Sequence, residues 1–128
     1  MNVILSIKPK FAELILNGKK RYEYRKVVFK QPVSRIYLYA SYPVCRIVGE
    51  FSPEDIISGA PVIVWSKTKE YSGIDQEYFE QYFQNKRSAY AIQVKAVKRY
   101  QSQIDPRQVI PDFRAPQSFC YIKNYIGE

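Results

Sequence analysis

The chain contains no histidine. That absence removes the usual general base of serine and cysteine hydrolases, a common ligand of catalytic zinc, and the side chain that switches charge near neutral pH. Cysteine is scarce as well. Cys45 and Cys120 stand alone, without the paired spacing of a metal site, and are expected as free thiols buried in strands. Neither a metal nor a cofactor is expected. No apolar run approaches the roughly 18 residues needed to cross a bilayer, so no membrane partner is expected. The N-terminus lacks the basic, apolar and small-residue succession of a secretory leader, and the expected location is the cytoplasm. Any chemistry must come from Lys, Arg, Tyr, Ser, Thr, Asp and Glu.

What the chain does have is aromatic rings and positive charge. Its 128 residues are 46% hydrophobic, with 12 Tyr and 7 Phe, enough for one domain over 1–128 with a core that needs no staples. Lys and Arg number 20 against 12 acidic residues, leaving +8. The excess is uneven. Lys8, Lys10, Lys19, Lys20, Arg21, Arg25, Lys26, Lys30 and Arg35 face only Glu13 and Glu23 in the first third, whereas the stretch from Glu50 to Glu80 is acidic. A basic face of this kind suits a polyanion, and phosphate is the commonest.

The N-terminal stretch carries the most information. Val3 to Ile7 reads as a buried strand, and Pro9 suits a first helical position. Phe11, Leu14 and Ile15 then give a short helix one apolar face, and Asn17-Gly18 stops it. In the next strand Arg21, Glu23 and Arg25 alternate with Tyr22 and Tyr24, so one face carries charge and the other rings. The Tyr face can enter the core. The charged face must meet solvent, with Glu23 paired to its Arg neighbours, or a ligand.

Further along, Ser34 to Ser41 has apolar or aromatic residues on both faces, as a central strand does. Tyr42-Pro43 is a turn, and Cys45 to Phe51 a strand with Gly49 at a point of close approach. A helical turn is expected over Pro53–Gly59. A helix opens at Pro61, with Val62, Trp65 and Tyr71 inward. Another is capped by Asp75, with Ile74 stapled on Phe79 and with Tyr78, Phe79, Tyr82 and Phe83 as a core stripe. Ala89 to Tyr100 is the longest strand, Gln101 to Pro116 is irregular, and Ser118 to Ile122 closes the chain. The fold class is α+β, a small mixed barrel of five or six strands with short helices packed at its ends.

The segment "LSIKPKFAELILNGKKRYEYRK" closely resembles the opening motif of the ASCH domain, a branch of the PUA-like superfamily: a strand ending in Lys-Pro, a helix, Gly-x-Lys, then Glu-x-Arg. The likeness continues in "RIYLYAS", "IVGEF", the helix of Trp65, "KRSAYAIQV" and "APQSF", and so spans nearly the whole chain. It implies a PUA-like barrel with a cleft suited to RNA or a nucleotide. It also implies that Lys8, Lys20, Glu23 and Arg25 surround that cleft beside the barrel mouth, where Arg offers a planar fork and Glu an acceptor for base amines. Lys26 extends the phosphate-facing set, Tyr42 and Tyr39 can stack a base, and Ser118 and Gln117 can add polar contacts.

Two functional classes follow. One is a binding module for RNA or a nucleotide, of regulatory type. The other is a small metal-independent enzyme acting on RNA or a modified nucleoside. A ribonuclease would use Lys20 and tyrosine, because a buried Lys near other cations can lose its proton. The resemblance extends to amidohydrolases of acetylated cytidine, whose Lys is matched by Lys20. Their nucleophilic Thr is replaced here by Glu23, which cannot play a hydroxyl's part. A duplex-DNA regulator is disfavoured, since no helix-turn-helix pattern is present.

Overall fold

The computed structural model describes residues 1–128. Its elements in chain order are β1 (Asn2–Ile7), α1 (Pro9–Leu16), β2 (Tyr22–Arg25), β3 (Arg35–Ala40), β4 (Arg46–Gly59), α2 (Pro61–Thr68), α3 (Gln76–Tyr82), β5 (Ala89–Ile104) and β6 (Phe119–Ile122). The strands form one six-stranded sheet in the order β2-β5-β4-β3-β1-β6. Only β1 and β3 run parallel, so the sheet is mixed. It curls into a half-barrel carrying three short helices, the small α+β barrel the sequence predicts. The ends of the curl are β2 and β6.

Burial on both faces explains why β1 and β3 sit centrally. Val3, Leu5 and Ile7 of β1, with Ile36 and Leu38 of β3, pack against Ala12 and Ile15 of α1. Ile4, Tyr37 and Tyr39 face the other way, into a second cluster with Ile47 and Tyr100. Each fully buried Leu or Ile stabilises by about 1.5–3 kcal/mol, and a one-residue slip of either strand would exchange the aliphatic and tyrosine sets between clusters packed for the other. A third cluster joins Tyr24, Val64, Phe79 and Phe83 under α2 and α3. Gly49 lies where α1 meets the sheet: a Cβ there would stand 2.6 Å from Leu16 Cδ2 and from the Lys98 carbonyl.

Several expectations need correction. Pro53–Gly59 is strand, not a helical turn, because β5 supplies a ladder from Pro53↔Val94 to Gly59↔Ala89. Pro53 is tolerated beside a register shift, where its missing N–H costs no regular bond. On α2, Val64 and Thr68 are the buried residues, while Val62 and Tyr71 are exposed. The α3 stripe splits: Phe79 and Phe83 are core, Tyr78 and Tyr82 are not. Strand β5 runs on to Ile104, pairing with Ile47, and shortens the expected irregular segment. Cys45 and Cys120 are free but only partly buried, and Cys45 precedes its strand at a positive φ.

Candidate functional site

The cleft forms at the seam where the curled sheet does not close. Strand β1 ends at Ile7, and Lys8 turns the chain into α1, which carries Phe11 over the opening. Gly18, at φ 85°, takes the left-handed conformation that ends α1, and the Lys20 N–H returns to the Leu14 carbonyl at 2.9 Å. That turn drives the Lys20 side chain inward. Gly73, at φ 71°, closes over it: a Cβ there would stand 2.6 Å from Lys20 Cβ. Only 2% of Lys20 is exposed.

The ammonium of Lys20 donates to the Ser72 carbonyl at 2.7 Å and stands 3.8 Å from Glu23 Oε1. It also lies 4.8 Å from the centre of the Tyr24 ring and 5.4 Å from that of Phe11. Burial holds its pKa below the ordinary lysine value; the Glu23 carboxylate opposes that shift and the Arg25 guanidinium adds to it. Tyr24, whose hydroxyl pairs with Thr68 Oγ1 at 2.7 Å, has its pKa pushed up to about 12, chiefly by burial.

Glu23 is 5% exposed, so the charged face of β2 is largely buried at the cleft and is not a solvated strand face. Its Oε2 accepts from Arg25 Nε at 3.0 Å and forms an ion pair with Nη2 at 2.8 Å. Oε1 has no hydrogen bond, yet no buried side-chain oxygen lacks a partner, so Oε1 is the atom open to solvent in the cleft. Arg25 is spent differently from the free fork expected. Its Nη2 also donates to the Ser6 carbonyl at 2.7 Å, and its Nη1 reaches Ser118 Oγ at 3.4 Å. The guanidinium therefore straps the free edge of β2 to β1 and to the residue before β6. It orients Glu23 and leaves little for a ligand.

The cleft encloses about 260 Å³ and is lined by Lys8, Lys20, Glu23 and Arg25 together with Ser6, Phe11, Tyr78, Tyr82 and Gln117. Lys8 stands on one rim, its Nζ 3.4 Å from the Tyr78 hydroxyl. Lys26 stands beside the other tyrosine, 4.5 Å from the centre of the Tyr82 ring. Ser118 meets the cleft only through Arg25. Tyr42 is not in it; with Tyr39 it belongs to a groove next door, where Tyr39 is 6% exposed and packs on Phe113. Sequence reasoning missed Tyr78 and Tyr82 as cleft residues. Their spacing of four on α3 was the available signal, since it gives the hydroxyl-bearing half of the stripe one face of its own.

Comparison with known proteins adds a family. No family model matches the chain. Among characterised proteins it is 27% identical over 127 residues to the ASCH domain-containing ribonuclease of Zymomonas mobilis, covering 94% of this chain and 83% of that one. The crystal structure of ASCH from Zymomonas mobilis superimposes with a TM-score of 0.89 at 25% identity, over 95% of this chain and 87% of the other. Sequence and fold together support an ASCH-domain protein. The chain is also 26% identical over 122 residues to the large ribosomal subunit protein uL22 of Ureaplasma parvum, and spans 39% of that longer protein.

Proposed function

We propose that this ASCH domain binds RNA as a single strand and takes one unpaired base into the Lys20–Glu23 cleft. The observation that carries the reading is the asymmetric carboxylate of Glu23, with Oε2 held by Arg25 and Oε1 left as an open acceptor between ring walls. An acceptor so placed suits the exocyclic amine of a base, as acidic side chains suit cytosine N4. Tyr78 and Tyr82 offer faces for stacking, and Lys8 and Lys26 flank the opening where phosphates would pass. A cleft this narrow admits a splayed base and not a duplex, which is how proteins commonly read RNA sequence. The relative named a ribonuclease supports RNA as the class of ligand.

A second reading, cleavage of the bound strand, rests on Lys20. An amine whose pKa is held down by burial gives up its proton more readily than a solvated lysine, so the neutral form a general base needs is more accessible, and this one lines the cleft floor. In that reading Lys20 takes the proton of an attacking ribose hydroxyl, and Tyr78 beside Lys8 returns one to the leaving oxygen. Hydrolysis of acetylated cytidine is not proposed, because Glu23 is committed to Arg25 and brings no hydroxyl.

One experiment covers both readings. Fluorescent homopolymers are titrated with wild type and Glu23→Gln, folding is checked by circular dichroism, and the same mixtures are run on a denaturing gel with and without chelator. The amine-bearing strands, poly(C) and poly(A), should outbind poly(U), and Glu23→Gln should cut that preference by about 1–3 kcal/mol. Equal affinity for poly(U) in the wild type would end the base-reading proposal. Shortened strands that persist with chelator and vanish in Lys20→Met would establish cleavage.

A further inference from the structure

The groove next to the cleft is not explained by one bound base. It encloses about 380 Å³ and shares Ser6, Ile7, Lys8 and Gln117 with the cleft, so the two openings have a common wall. The topology produces this adjacency. Strands β1 and β3 run parallel and end in register at Ile7↔Ala40, and the Ser41 N–H is tied to the Ile7 carbonyl at 2.9 Å. Lys8 and the turn Ser41–Val44 therefore leave the same rim of the sheet side by side. On that rim Tyr42 is 84% exposed, more than any other large hydrophobic residue of the chain, and no aromatic or core contact holds its ring. An exposed ring at the mouth of a groove, beside the exposed Lys8, is placed for a ligand.

We propose that this groove receives the base next to the one in the cleft, so that the recognised unit is a dinucleotide step of single-stranded RNA. This rests on the cleft reading above. Lys8, exposed on the shared wall, meets the phosphate that joins the two nucleotides. Tyr42 stacks on the second base, while Ser41 and Gln117 present a hydroxyl and an amide to its edge. The second subsite offers no carboxylate, because its lining holds none. It is therefore tolerant of base identity, and selectivity stays with Glu23. Stacking on an exposed ring suits that division, since every base has a π-face.

The test compares mononucleotides with dinucleotides by calorimetry on the full chain. The probes are cytidine and adenosine 3′-monophosphates and the corresponding cytidine and adenosine dinucleotides, with 2′-deoxyribose at the first position so that the strand cannot be cut. The dinucleotides should bind about 5- to 150-fold more tightly, the size of one aromatic stack. Tyr42→Ala should bring them down to the mononucleotide level, and Tyr42→Phe should retain the advantage. If mononucleotides bind and dinucleotides bind no better, or if Tyr42→Ala keeps the advantage, the second subsite is wrong and the cleft reading survives. If no probe binds, both are overturned.

Discussion

Glu23 on β2 and Glu50 on β4 are both strand carboxylates, both under a tenth exposed, and both gripped by an arginine. They differ in how completely they are satisfied. Glu50 takes Arg35 Nε on Oε2 at 2.6 Å, and on Oε1 the hydroxyl of Tyr100 at 2.6 Å and that of Tyr125 at 3.3 Å. The tail closes over it, leaving no room: a Cβ on Gly127 would lie 2.6 Å from that oxygen. Glu23 is held on one oxygen only, with the buried ammonium of Lys20 at 3.8 Å from the other and a cleft in front. A saturated carboxylate fastens two parts of the fold together. One left half-satisfied beside a buried cation has capacity for a ligand, at a cost in stability.

The largest expected effect is on stability. Glu23→Ala leaves Lys20 and Arg25 buried without a counter-charge and should cost about 3–5 kcal/mol in urea unfolding. Glu50→Ala orphans the buried Tyr100 hydroxyl but leaves Tyr125 on the Glu128 carbonyl and Arg35 partly in water, so about 1–3 kcal/mol is expected. The reverse order would show that the cleft is wetter than its geometry indicates.

Alkaline titration distinguishes the two regions next. The folded-state pKa of Lys20 lies below 10.5, so between that lowered value and 10.5 the unfolded chain holds more protons and stability rises with pH. Tyr24 has the opposite sign. Its folded pKa is about 12 against 10, so stability is lost as pH climbs from 10 toward 12. Tyr100, beside Glu50, is also raised by burial and loses stability in the same direction, with no lysine like Lys20 to offset it. Melting temperatures followed from pH 8 to 11 should show Lys20→Met flattening the rise and Tyr24→Phe softening the fall. An unchanged profile in Lys20→Met would mean that its amine is not desolvated.

The smallest effect concerns the proposed phosphate contacts. Lys8→Glu and Lys26→Glu should each flatten the slope of log affinity against log salt by about 0.7, the share of one phosphate on a single strand. Lys98→Glu, on the Glu50 side, where Lys98 is bound to the Glu128 carbonyl, should leave the slope alone. Equal flattening by all three would dissolve the distinction between the faces.

Much of the fold was legible in the sequence because its signals act over a few residues. Pro9 and Asn17-Gly18 bound α1, Asp75 caps α3 through the Tyr78 N–H at 2.8 Å, and the two-faced burial of β3 follows from an unbroken run of apolar and aromatic residues. The ordered motifs were enough to suggest an ASCH-like barrel, and they bring Lys8, Lys20, Glu23 and Arg25 to one cleft. Tertiary structure decided the rest. Pro53–Gly59 became strand because β5 offered a ladder partner that local propensity cannot foresee. The stripe on α3 divided into core Phe and cleft Tyr only once the helix was docked. Tyr39 went inward and Tyr42 outward although only a short turn separates them. Above all, the alternation of β2 showed that Glu23 shares a face with two arginines, but not that Arg25 would be spent on Ser6 or that Gly73 would seal Lys20. Desolvation decides which charge is structural and which is reactive, and it is set by what distant segments lay over a side chain.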